Sequence, residues 1–229
     1  MDWSVPVDAY CERLGTGLWA EPMNAVSNAA FLIAAVAAWQ GSAGVPVARA
    51  LSAVLFAIGI GSGLFHTAAT RWAAVADVIP IAAFVVIYVW SANRHLLGLS
   101  PAAATAATVL YIPAHAALAA PMSALPVVGV SGAYLPVPVA ILAYALVLRR
   151  ARPTTAAGLA AGAGVLGVSI LLRSLDAGLC PRWPLGTHFL WHLLNAAMLW
   201  WMIRVLVRAM PALRGRDASP SIGAGGALP

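Results

Sequence analysis

Residues 73–92, AAVADVIPIAAFVVIYVWSA, decide the architecture. A helix of about 20 mainly apolar residues crosses a hydrocarbon core of roughly 30 Å, and this stretch carries a single charge, Asp77. Outward from it, further apolar runs fall at 25–40, 49–68, 101–120, 130–148, 155–173 and 188–207. Turn residues or arginines break the pattern at 41–46, 70–72, 93–95 and 149–153. Between 120 and 132 the break is blurred. There Pro121, Pro126, Gly129 and Gly132 sit in apolar sequence, which fits either shifted limits of the fourth and fifth spans or a re-entrant link. The expectation is an all-α polytopic membrane bundle of seven transmembrane helices over residues 1–210, with a short outer segment at 1–24 and a disordered tail at 211–229.

Composition points the same way. The chain is 62% hydrophobic and 9% charged, where a soluble domain carries about 25% charged residues, so lipid is its expected solvent. Its net charge of +6 comes entirely from arginine, without a basic stripe interleaved with aromatics, which argues against a nucleic-acid partner. Arginines flanking spans account for it instead. Seven spans would put Arg49, Arg94, Arg149, Arg150, Arg152, Arg204, Arg208, Arg214 and Arg216 on one side and Arg13, Arg71, Arg173 and Arg182 on the other. The positive-inside rule then sets the N-terminus outside and the C-terminus in the cytoplasm. With acids and no apolar run before Ala25, the N-terminal segment does not read as a cleavable signal peptide. Small residues in GIGSG (59–63) and AAGLAAGAG (156–164) are expected to let helices pack closely. Trp19, Trp72, Trp183, Trp200 and Trp201, near span ends, are expected as interfacial anchors.

Ionisable groups at membrane depth are costly and mark function. His66, Asp77, His188 and His192 stand out. In THFLWH, His188 and His192 are four apart and share one helix face; Ser62 and His66, in SGLFH, have the same spacing. Asp77 follows His66 by 11 residues, about 16 Å along a single helix. The break at 70–72 predicts a hairpin instead, which puts both at similar depth under the outer surface, where the last span also enters. Three neutral imidazoles with one open position are the ligand set of a catalytic zinc site. Asp77 is placed to move a proton and Ser62 to hydrogen-bond a water or an oxyanion. A histidine-ligated haem is the rival centre, but it leaves Asp77 and Ser62 without a role. The GSG around Ser62 lacks the G-x-S-x-G elbow of a serine hydrolase. His95 and His115 are expected as helix-helix hydrogen-bonding groups or as interfacial residues. The two cysteines, Cys11 and Cys180, are either unrelated thiols or, if both lie outside, a pair.

CERLGTGLWAEPMNAVSN (11–28), GSGLFHTAATRWAAVAD (61–77) and THFLWHLLNA (187–196) together resemble the alkaline ceramidase family, part of a seven-span hydrolase superfamily that includes the adiponectin and progestin receptors. The combined spacing carries the resemblance more than any one motif; the middle of the chain matches in hydropathy alone. The resemblance implies a zinc amidase that cleaves ceramide or a related N-acyl lipid, with His66, His188 and His192 as zinc ligands and Asp77 and Ser62 assisting the attacking water. It also implies calcium near the N-terminus, held by Asp8, Glu12 and Glu21, and a Cys11–Cys180 disulfide. The match departs at Ala9 and Leu14, where the family pattern has Asp and Asn. A solvated acidic segment is the plain alternative for Glu12 and Glu21, and helix capping for Asn24, Ser27 and Asn28. A receptor-like or lipid-binding protein without significant turnover is the second functional expectation. Arginine- and alanine-rich composition implies a bacterial source, hence a cytoplasmic membrane with the site toward the periplasmic leaflet.

Overall fold

The computed structural model describes residues 2–210. The expected disordered tail, 211–229, lies outside the described residues. The elements are α1 (Pro22–Ser27), α2 (Ala29–Gln40), α3 (Pro46–Ala68), α4 (Arg71–Ser91), α5 (Pro101–Met122), α6 (Pro136–Leu148), α7 (Pro153–Leu179) and α8 (His188–Ala209). Helices α1, α3, α5, α6 and α7 each begin on proline, whose fixed φ suits the first turn and whose missing N–H has no helical partner there in any case. Helices α1 and α2 run on as one apolar segment, and α4 continues into a π-turn, Ala92–Leu96.

Among the described residues, six helical segments are long and apolar enough to cross a membrane, as in a helical membrane bundle. The run expected as a fifth span at 130–148 is different. Its helix, α6, has 13 residues, about 20 Å at 1.5 Å per residue. The preceding chain is taken up by turns, including a single 3₁₀ turn at Gly129–Ser131. Gly132 lies so close to Ser123 that a Cβ there would come within 2.6 Å of the Ser123 Cα.

Helix α3 packs between α2 and α4, while α8 packs on α7 and α2. The small-residue expectation holds at these contacts. A Cβ on Gly59 would strike Leu32 of α2 at 2.7 Å, and one on Gly158 would strike Val205 of α8 at 2.8 Å. At Gly61 the neighbour is the Ala76 carbonyl of α4. Pro80 is the residue whose N–H would ordinarily bond that carbonyl, and proline has none, so the α4 backbone is opened where α3 approaches it. Helix α5 is peripheral and buries Ala104 and Thr108. Trp19, Trp72 and Trp183 are exposed near helix ends as expected, but Trp201 departs from the anchor role. Its indole donates to the Gly158 carbonyl at 2.8 Å and thereby joins α8 to α7.

The α3–α4 connection is the expected hairpin. Ala69 takes a left-handed conformation (φ 43°) and donates to the Phe65 carbonyl at 2.9 Å. The N-terminal segment lies across this turn: Val7 donates to Ala69 at 2.7 Å and Arg71 to Val5 at 3.1 Å. Further along, Cys11 is joined to Cys180, with 5.3 Å between their Cα atoms. The pairing implied by the family resemblance is therefore present.

A methyl group at position 61 has no room, whereas Gly164 of α7 faces open space. Gly61→Ala is expected to destabilise the bundle by about 1–3 kcal/mol through overpacking. Gly164→Ala should be neutral or stabilise it by up to about 1 kcal/mol. Thermal unfolding in detergent checks this, and equal shifts for the two variants would refute the close α3–α4 contact.

Candidate metal centre

Helices α3, α4 and α8 meet the N-terminal segment at one end of the bundle. His66 lies in the last turn of α3; His188 opens α8 and His192 follows one turn later. All three are buried, with ring centroids 5.0 Å (66–188), 4.7 Å (66–192) and 4.6 Å (188–192) apart. Each ring offers one nitrogen, and the three nitrogens lie within 4.8 Å of one another. Among the described residues no other group of three or more His, Cys, Asp or Glu comes together in this way.

The hydrogen bonds around the rings decide which nitrogens carry protons. His66 Nδ1 lies 2.6 Å from a Glu21 carboxylate oxygen, so Nδ1–H donates and the Nε2 lone pair points away. His192 Nδ1 lies 2.7 Å from Ser27 Oγ. That hydroxyl gives its own proton to the Asn24 carbonyl at 3.0 Å, so it accepts from His192 and again leaves Nε2 unprotonated. His66 Nε2, His192 Nε2 and His188 Nδ1 are buried without a hydrogen-bond partner among the described residues. Buried nitrogens in that state fit metal ligands, and two of the three rings, His66 and His192, are held by an outer carboxylate or hydroxyl acceptor.

Asp176, in the last turns of α7, positions His188. One carboxylate oxygen accepts from the N–H of Thr187 (2.7 Å) and of His188 (2.9 Å), and the other from Cys11 (2.9 Å). An anion here also suits the positive N-terminal end of α8. Tyr10 stacks on His188 with ring centroids 3.6 Å apart. Burial pushes the Tyr10 phenol up to about 12, although the charge of Arg173 pulls it down. Arg173 is held by Ser131 Oγ at 2.9 Å and Tyr10 Oη at 3.3 Å.

Ser62 is buried one turn before His66, and its hydroxyl interacts with the Asp77 carboxyl, which also feels the charge of Arg173. Asp77 Oδ1 is buried and without a hydrogen-bond partner among the described residues. The close approach of Gly61 to α4 makes this possible, since a Cβ there would lie 3.3 Å from the Asp77 Cα. Ser62, His66, Asp77, His188 and His192 are thus brought to the same end of the bundle.

The residues expected to hold calcium are arranged otherwise. Asp8 is exposed. Glu12 is buried, and its two oxygens accept the N–H groups of Met23 (2.7 Å) and Asn24 (2.8 Å), capping α1 from outside the helix. Glu21 binds the Arg13 guanidinium, His66 and the Asn24 amide. Burial pushes the Glu21 carboxyl up, but the bonds from His66, Asn24 and Arg13 prevail and hold it below the ordinary value. This donor set does not fit a calcium site, because guanidinium and N–H groups already occupy the carboxylates. The capping expected of Asn24, Ser27 and Asn28 is likewise corrected: neither α1 nor α2 has a side-chain N-cap bond, and Ser27 serves His192. His115 does behave as a packing histidine, 3.0 Å from both the Ala133 carbonyl and Tyr111 Oη.

A narrow apolar cavity lies deeper in the bundle, lined by residues including Phe31, Ile58, Phe84, Trp191 and Met198. The ring of Phe31 is 6.1 Å from that of His192. Ile81, Val85, Tyr134 and Val137 line this cavity and also a second, wider one of about 360 Å³, which reaches Val78 of α4 and Ile112 of α5. Both of those residues are about half exposed, so the second cavity opens toward the outer surface of the bundle.

Fold and site together define a helical membrane protein with a candidate three-histidine metal centre. In comparisons with known proteins, no family model matches the chain, and neither does any curated protein.

Metal analysis tests the centre. His66→Ala and His188→Ala should each abolish tight zinc binding, and Ser27→Ala, which strips His192 Nδ1–H of its acceptor, should weaken it by about 10- to 100-fold. Full zinc occupancy in the histidine variants would refute the assignment.

Proposed function

We propose that this chain is a zinc-dependent membrane amidase of the alkaline ceramidase kind, hydrolysing ceramide or a related N-acyl lipid to a free amine lipid and a fatty acid. One observation carries the reading: three buried imidazoles converge at the same end of the bundle as Asp77 and Ser62, with the apolar cavity wall beginning at Phe31 beside His192. The cavity suits an acyl chain and the polar end suits the amide. In this reading α6 and the turns before it complete a seven-span bundle. The disulfide at the histidine end supports an oxidising exterior there, in line with the arginine asymmetry. The site then faces the periplasmic leaflet of a bacterial cytoplasmic membrane.

When bound, zinc supplies Lewis acidity, polarising a carbonyl and acidifying water. Asp77 takes the proton of the attacking water and returns it to the departing amine as the C–N bond breaks. Ser62 has one hydroxyl proton, which steadies the Asp77 carboxylate before attack and is available to the oxyanion as charge moves onto the substrate. Glu21 and Ser27 keep His66 and His192 in their tautomers, and Asp176 keeps the start of α8 in place, so that little has to reorganise during the reaction.

Release of fatty acid from ceramide or another N-acyl lipid by purified protein tests this. Asp77→Asn keeps the size of the side chain but cannot take a proton, and turnover should fall by about 10² to 10⁴ fold with zinc content unchanged. Parental turnover in that variant would remove the proposed base. Protein that holds zinc yet cleaves no N-acyl lipid would favour the receptor-like alternative.

A further inference from the structure

The buried corner beside His66 holds a cation of its own. The Arg13 side chain is only 5% exposed. Its Nε donates to one Glu21 oxygen, while its two terminal nitrogens donate to the Gly15 carbonyl at 3.0 Å and to the His66 carbonyl at 3.3 Å. The other Glu21 oxygen takes His66 Nδ1. One guanidinium therefore neutralises the carboxylate that fixes the His66 ring and also grips the backbone of the same residue. Without Arg13 the buried carboxylate would keep only neutral donors, the His66 ring N–H and the Asn24 amide, and removing the cation of such a buried pair is strongly destabilising.

We propose that Arg13 is the resident cation of this corner, a positioning residue that neutralises Glu21 and so holds His66 toward the metal, and that no divalent cation is required there. The proposal rests on the metal-centre reading of the three histidines. It also replaces the calcium implied by the family resemblance with a covalently attached charge. The buried amide oxygens of Asn24 and Asn28 have no hydrogen-bond partner among the described residues, so a direct calcium measurement is a demanding test.

Full-length protein in detergent, prepared in metal-depleted buffer, is titrated with zinc alone and with zinc plus millimolar calcium. Zinc affinity and unfolding temperature should be the same in both. Arg13→Gln should weaken zinc binding by about 10- to 100-fold, the range for an outer-shell partner, and Arg13→Lys should recover part of it. In a Glu21→Gln background, where no carboxylate is left to neutralise, Arg13→Gln should cost little further. If Arg13→Gln alone does not fold, the comparison between Glu21→Gln and the double variant still decides: the double variant must fold and hold zinc as Glu21→Gln does. Equal losses in both backgrounds, a double variant that does not fold, or zinc affinity that rises with calcium overturns the proposal while leaving the metal centre standing. A parent protein that takes up no zinc overturns the metal centre and this proposal with it.

Discussion

Three imidazole nitrogens without hydrogen-bond partners, buried within a few ångströms of one another, make a cluster that the surrounding chain has to hold in place. A buried polar atom left without a partner costs about 1–3 kcal/mol, and the rings have no reason of their own to stay together. What constrains them is a set of outer bonds: Glu21 on His66, Ser27 on His192, and Asp176 at the head of the helix that carries His188 and His192. The rest of the architecture at this end follows from those bonds. Helix α1 must enter just where Glu12 can cap it, α8 must begin at Thr187, and the N-terminal segment must lie over the α3–α4 turn.

Segment 10–13 is where these demands meet. Tyr10 covers His188, Cys11 is bonded to Asp176 and joined to Cys180, Glu12 caps α1, and Arg13 ties Glu21 to the His66 backbone. Four consecutive residues thus touch the surroundings of every ring, outside any regular helix. Close helix packing deals with the other half of the problem. Gly61 against Ala76 brings α3 and α4 near enough for Ser62 to meet Asp77, at the level where Pro80 has relaxed the α4 ladder.

Much of this was legible before any coordinates. The turn at 70–72 told against one long helix and brought Ser62, His66 and Asp77 to one depth, and the spacing in THFLWH put two rings on one face. Those are short-range patterns, set by 3.6 residues per turn. The supports were not legible, because their partners are far away in sequence. Ser27 meets His192, and Cys11 meets Asp176, each across 165 residues. Glu12 was open between a calcium ligand and a solvated acid, and Arg13 counted only as one of the flanking arginines, since nothing local distinguishes a buried charge in a loop from an exposed one. Ser27 was read as a cap because a polar residue at a helix start usually is one. The 13-residue α6 was masked by apolar flanks that belong to turns.

The disulfide links positions 169 residues apart, and that separation orders events during synthesis. Tyr10 to Arg13 leave the ribosome well before Cys180, His188 and His192. The segment that organises the centre must therefore wait through the insertion of nearly every helix before its partners exist. The centre cannot assemble until α8 has been made, and a chain interrupted anywhere before α8 carries at most one histidine of the three and no means of gathering the others.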